Sequence, residues 1–480
     1  MIRSDAARPV AAQDRRRWYA LGLLCLAFFA DTFGSTIVFP AGPAMERALG
    51  LSQAGLQWSF TAATLPGGAL LLVGGRLSDV FGRRRMFMLG LVLLILASLV
   101  CGWAPSVAVL LGARAAQGIS AALLVPAALS LVMTTFRREE ERNKALAAWS
   151  AVGGAGATAG LLLGGLITVT LGWQWIFFIN VPVGGAMLLL SPVLLREPPP
   201  AGGGARKVDV PGTVTITGAV ALFIYTVTET SQQGWLNRRT LGELCVVMAL
   251  TAAFARIESR RAVPMLPPGL LRSRSRVAGN LFLLTAGLSV DGMVFTLSLY
   301  SQRVLGYSAI EFGGITAIMT ASSIAAAPLA QRAIPRFGPQ LIGRAGLVML
   351  CLSNAGLAAT AWLGGSPVAL AACMLVFGLG MGCAFVSGTI ASLKDVSERD
   401  SGIAAGIQNI SFSVGATVGL AILSAASAAV IRGGEGTGAL ISGYRTAFIC
   451  GALLGVLGLA VSTVVCRRPD GVGTPRPRCD

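Results

Sequence analysis

The chain carries fourteen separate runs of mainly apolar residues, most of them close to the ~20 residues a helix needs to cross the hydrocarbon of a bilayer. In lipid, every backbone N–H and C=O must be satisfied within the protein, so an isolated run of this length is read as a helix. The first six runs cover 18–39, 56–77, 86–103, 107–133, 145–170 and 174–195. Two shorter ones follow at 212–229 and 240–256. The last six cover 277–302, 309–331, 341–363, 367–390, 403–430 and 444–466. The pattern predicts an all-α polytopic membrane protein with an even number of spans.

Composition agrees. Of 480 residues 54% are apolar and 12% charged, against ~25% charged in an ordinary soluble domain. Too little polar surface remains to cover a water-facing globule. The net charge of +17 does not predict a nucleic-acid partner, because the basic residues sit in short clusters between apolar runs. With the N-terminus inside, thirty-one of the 38 Lys and Arg residues fall in the cytoplasmic segments, as the positive-inside rule requires. Dropping one span would invert every later loop. The expected location is therefore the cytoplasmic membrane of a bacterium, multi-pass, with both termini cytoplasmic. Arginine outnumbers lysine 35 to 3, which suggests a GC-rich genome.

There is no histidine and no C-x-x-C, and the nine cysteines lie mostly inside apolar runs. They read as small packing residues, and neither a metal site nor His-based catalysis is expected. No G-x-x-x-x-G-K-[ST] loop is present either, so a membrane enzyme or sensor has little to work with. The first apolar run lacks a small-residue cleavage site, so no removable signal peptide is expected.

Two segments rich in Pro, Gly and charge, 196–211 and 256–276, bracket the two short runs and divide the chain. The organisation expected is a cytoplasmic tail at 1–17, a six-helix bundle at 18–195, a linker with two extra spans at 196–276, a second six-helix bundle at 277–466 and a tail at 467–480. A faint repeat supports this plan. Asp79-Val80-Phe81-Gly82-Arg83-Arg84 and Pro335-Arg336-Phe337-Gly338-Pro339-Gln340 occupy matching loops of the two bundles, as expected of parallel repeats about an axis along the membrane normal.

The clearest motif runs from Gly75 to Arg85: Gly-Arg-Leu-Ser-Asp-Val-Phe-Gly-Arg-Arg-Arg. Gly75 and Gly82 permit a tight turn, and Asp79 sits among arginines that include Arg83 and Arg84. An acid there can cap a helix or pair with an arginine in a latch that breaks and reforms; a plain basic loop is the alternative. Further pieces are Arg114-Ala115-Ala116-Gln117-Gly118 and the run Trp173-Gln174-Trp175-Ile176-Phe177-Phe178-Ile179-Asn180-Val181-Pro182-Val183-Gly184. With Leu56-Gln57-Trp58, these resemble the major facilitator superfamily and, within it, the fourteen-helix drug:proton antiporters. The likeness covers nearly the whole chain. It implies two six-helix bundles related by a pseudo-two-fold axis with two inserted helices, no enzymatic activity, and export of small amphiphilic drugs or antibiotics.

Gly156, Gly160 and Gly164 recur every four residues, with Gly165 beside them, a stripe on which another helix packs closely. It resembles the antiporter motif of that family, with Leu161 where the family has proline. Ordinary close packing is the competing account. Charges within spans cost ~2.5–3.5 kcal/mol each on the insertion scale, yet three are kept: Asp31, Arg114 and Asp291. Each must face a cavity or a partner, and an ion pair of Arg114 with either acid is one possibility. The resemblance assigns Arg114 to proton transfer. Asp31 lies three residues before the family's first-helix acid position, on nearly the same face, and inherits that role; Asp291 has no counterpart there. Glu229, Glu243 and Glu311 stand at span ends and are expected to face water. Phe282, Met293, Phe295, Tyr300 and Met319 could line a greasy pocket or simply pack. The expected partners are a small molecule, the proton and the lipid, with no cofactor beyond the proton motive force and a monomeric chain. Uptake of a nutrient, and a sensor or enzyme role, stay open as alternatives.

Overall fold

The computed structural model describes residues 8–136, 138–197, 210–234, 237–260, 273–394, 396, 401–432 and 436–467. Among these the regular structure is entirely helical. The helices are α1 (Arg8–Thr36), α2 (Val38–Leu49), α3 (Gln53–Phe81), α4 (Arg83–Gly102), α5 (Val107–Thr135), α6 (Glu139–Thr170), α7 (Trp175–Phe178) and α8 (Asn180–Leu194). The inserted pair is α9 (Val210–Gln233) and α10 (Arg238–Ser259). Then come α11 (Arg274–Leu299), continued by a π-turn at Tyr300–Val304, α12 (Ala309–Trp362), α13 (Pro367–Leu393), α14 (Ser401–Ile431) and α15 (Gly436–Arg467).

Twelve helices are long and apolar enough to cross a membrane by length and composition. One of them, the 54-residue α12, is two spans joined at Gly338, whose φ of 77° lies outside the helical region. α3, with 29 residues, also has the length to cross. Fourteen membrane-crossing segments result, at the positions the apolar runs predict. The loop expected around 40–55 is mostly α2. Pro40 removes the N–H that would bond Thr36, so the first span breaks at Ile37 and then resumes.

Loop chemistry sets the helix starts. Ser52 Oγ accepts from the Gly55 N–H, and Ser308 and Glu311 form a reciprocal capping box at the start of α12. Gly82 and Gly338, the matching glycines of the two loop motifs, have φ of 101° and 77°. A side chain at either position would be strained, which is why glycine stands at both.

The packing repeats. α1 lies on α6, α3 on α5 and α4 on α8; in the second half α11 lies on α14, and the two limbs of α12 lie on α13 and α15. Glycines allow the same close approach in each half. A Cβ on Gly74 would stand 2.7 Å from the Ala122 carbonyl carbon, and one on Gly378 would stand 2.8 Å from that of Met319. α11 is the most enclosed of the candidate spans and α10 the least. Of the inserted pair, α9 touches both α3 and α14, while α10 packs on α9.

Candidate functional site

The face where α1 begins and α15 ends is here called the terminal face, and the other the far face. Arg114, on α5, is buried between the spans of the first half. Its Nε donates to the Ser59 carbonyl at 2.9 Å and an Nη to Gln117 Oε1 at 2.8 Å; Gln117 Nε2 in turn donates to Ser98 Oγ at 2.9 Å. The guanidinium also lies 5.9 Å from the centre of the Phe177 ring. α3, α4, α5 and α7 thus meet around one cation, held by neutral acceptors and a ring.

Asp31 on α1 and Asp291 on α11 are partly buried, one in each half. Among the described residues neither carboxyl group has a hydrogen-bond or ion-pair partner. Arg114 does not pair with either: its named bonds are those to Ser59 and Gln117.

The glycine stripe of α6 is pressed against α1. A Cβ on Gly156 would come 2.8 Å from the Phe29 carbonyl oxygen, one on Gly160 2.7 Å from that of Phe33, and one on Gly164 2.7 Å from that of Ile37. Thr36 Oγ1 uses the closeness to donate to the Ala157 carbonyl at 3.0 Å. The helix runs unbroken through buried Leu161. In the second half Gly415 and Gly419 of α14 meet α11 in the same way, so this contact is built twice into the fold. Gly165 differs, because a Cβ there would reach 2.7 Å from the Ala309 carbonyl carbon, in the opposite half.

In the loop motif, the turn between α3 and α4 falls on Gly82, with Arg83 and Arg84 opening α4. Gly75 and Asp79 lie within α3; the Asp79 side chain is outside the described residues. A Cβ on Gly82 would stand 2.8 Å from a carboxylate oxygen of Glu197, so the end of the first bundle folds back over this turn.

Two features escape a local reading. Glu229, expected in water, accepts a hydrogen bond from Trp58 Nε1 at 3.0 Å, and Tyr225 of the same helix lies 5.8 Å from the Trp58 ring. This ties α9 to the second turn of α3, one residue from the carbonyl that holds Arg114. Second, the halves are bonded to each other at the far face. Ser298 Oγ donates to the Phe39 carbonyl at 2.8 Å, Gln302 Nε2 to that of Pro40 at 3.4 Å, and Arg303 pairs with Glu46. Phe60 of α3 meets Phe295 of α11 edge-on at 5.4 Å. Phe282, Met293, Phe295, Tyr300 and Met319 are all buried in the core, which is packing. At the terminal face Arg17–Glu141 at 3.3 Å stays within the first half, and Ser411–Asn280 at 3.2 Å within the second.

A twice-repeated helical bundle of fourteen crossings, with charges retained inside it, defines a polytopic transporter. Residues 24–420 match the family model of the Major Facilitator Superfamily, and the chain belongs to that family. It is a multi-pass membrane transporter of small molecules and not an enzyme. It is 35% identical over 423 residues to a puromycin resistance protein of Streptomyces alboniger, covering 86% of this chain and 82% of the relative. It is 34% identical over 455 residues to a cephamycin export protein of Amycolatopsis lactamdurans, covering 93% and 92%. Among solved structures, a peptide transporter POT in complex with sulfate superposes with a TM-score of 0.68 at 17% identity, covering 93% of this chain and 94% of that one.

Proposed function

We propose that this chain is a proton-driven antiporter exporting small amphiphilic drugs or antibiotics from a bacterial cell. The observation that carries the reading is the pair of carboxyl groups, Asp31 and Asp291, set one in each half without a protein partner among the described residues. Each costs ~2.5–3.5 kcal/mol to insert, and no ion pair with Arg114 offsets it. A group kept at such cost and left unpaired suits a proton or a cationic cargo. Export is the direction named for the cephamycin relative. In this cycle the monomeric chain rocks its two six-helix bundles, 18–195 and 277–466, about the cavity between them, with the inserted pair as an addition. A proton entering down its gradient neutralises an acid and releases cargo outward; each charge crossing the field contributes ~2.3 kcal/mol per 100 mV.

The test is efflux from everted vesicles with an imposed pH gradient, using puromycin as the probe. Drug accumulation should collapse with a protonophore and be lost in Asp31→Asn while the protein stays inserted. Gradient-driven accumulation by Asp31→Asn equal to wild type would remove Asp31 from the mechanism. Accumulation indifferent to the protonophore would remove proton coupling.

A further inference from the structure

We infer that Glu46, Arg303 and Ser298 are positioning residues of the transport cycle, together forming a bolt that holds the far face shut and must be drawn for it to open. The inference rests on the reading above only in taking the two halves to part in alternation.

The bolt is built from both halves, 257 residues apart in sequence. Arg303 belongs to the second half and is fixed there first: its other Nη donates to the hydroxyl of Tyr444, a fully buried side chain, at 3.3 Å. Tyr444 in turn packs edge-on against Tyr300, 6.3 Å between ring centres. The arginine is therefore aimed before it meets its partner, which lowers the entropy lost on pairing. Glu46, on α2 of the first half, is the catch. Both side chains are mostly buried, at 21% and 24% exposed, so the pair is screened far less than a surface one and its loss leaves a charge poorly solvated.

The second bond has a backbone origin. Pro43 lies inside α2 and has no N–H, so the carbonyl of Phe39, four residues before it, loses its helical donor. Ser298 Oγ, from the other half, supplies that donor at 2.8 Å. The proline thus leaves an acceptor that Ser298 satisfies while the halves are together, and water can take the place of that hydroxyl when they part. The donors come from the end of α11 and from the π-turn that follows it. There the Leu305 N–H bonds the Tyr300 carbonyl five residues back, at 3.2 Å. The wider turn shifts the register of α11 where it meets α2 and lets Ser298, Gln302 and Arg303 all reach the first half.

The test is a distance measurement by electron spin resonance on the full chain in detergent. Nitroxides are attached to p-acetylphenylalanine at Ala48 and at Leu363, both exposed on the far face, one in each half; the native cysteines stay in place. The doubly labelled parent should show mainly the short distance. Glu46→Gln should raise the long-distance population about tenfold, the change expected for losing a charge-assisted bond, and Ser298→Ala should raise it further when combined. The swap Glu46→Arg with Arg303→Glu should return the distribution toward the parent. Glu46→Gln and Ser298→Ala are near-isosteric, so a folded, monodisperse sample with the parent's distribution in both would overturn the proposal. A swap no more closed than Glu46→Gln would overturn the ion pair as the bolt. No cargo and no proton gradient enter the measurement, so failure of proton-coupled export and failure of the bolt are separately visible.

Discussion

Gly154 and Gly160 are two glycines of the same helix, α6, and adding one methyl group to each should have opposite effects. At Gly160 a Cβ would stand 2.7 Å from the Phe33 carbonyl oxygen and 3.1 Å from the Ile37 amide nitrogen, and would collide with Thr36 Oγ1. The first two are backbone atoms and cannot rotate away, so α6 must move off α1. Overpacking of this kind costs about 1–3 kcal/mol. Separation would also stretch the Thr36–Ala157 hydrogen bond, worth about 1 kcal/mol. The gain from replacing a helical glycine by alanine, about 1 kcal/mol, opposes this, leaving Gly160→Ala destabilised by about 1–3 kcal/mol. At Gly154 nothing lies within 4 Å of the added carbon, so only the helix-propensity gain of up to about 1 kcal/mol remains. The assay is equilibrium unfolding in mixed detergent micelles, followed by tryptophan fluorescence, with wild type and both variants side by side. Adding Thr36→Ala to Gly160→Ala should recover part of the loss, because the hydroxyl is removed but the carbonyl stays. A Gly160→Ala protein as stable as Gly154→Ala would refute the reasoning, since it would mean that α1 and α6 do not meet on this stripe.

Gly82→Val should cost about 1–3 kcal/mol from the positive φ alone, with further crowding against Glu197, and should appear as lower stability and slower transport; wild-type values for both would make the turn a mere spacer. Glu229→Ala should leave Trp58 Nε1 without its acceptor and raise hydrogen exchange in α9, whereas Glu229→Gln, which keeps an acceptor oxygen, should not; equal exchange in all three proteins would remove this bond as the tie between α9 and α3. Deleting 207–274 and rejoining the halves should leave a twelve-span bundle that inserts but is less stable, because it bares the flanks of α3 and α14 that α9 covers. Aggregation of that deletion in mild detergent would place α9 in the core.

The spans were legible in the sequence because lipid imposes a local rule: a run of ~20 apolar residues must satisfy its own backbone, whatever else the chain does. The same holds for Gly82 and Gly338, where a turn between two helices selects its residue by φ. The loop motif and the Arg114 motif also carried the family, since they are short and contiguous. Partnership was not local. The sequence put Arg114, Asp31 and Asp291 inside spans, but the folded bundle gave the arginine to Ser59 and Gln117 and left both acids without it. Glu229 reads as a span-end carboxylate in water until α9 is laid against Trp58, 171 residues away. Arg303 and Glu46 read as two unrelated loop charges because nothing in either neighbourhood encodes a contact across 257 residues. Hydropathy and turn chemistry act over one helix length and so are written along the chain; which face of a helix meets which other face is settled only when fourteen spans pack together.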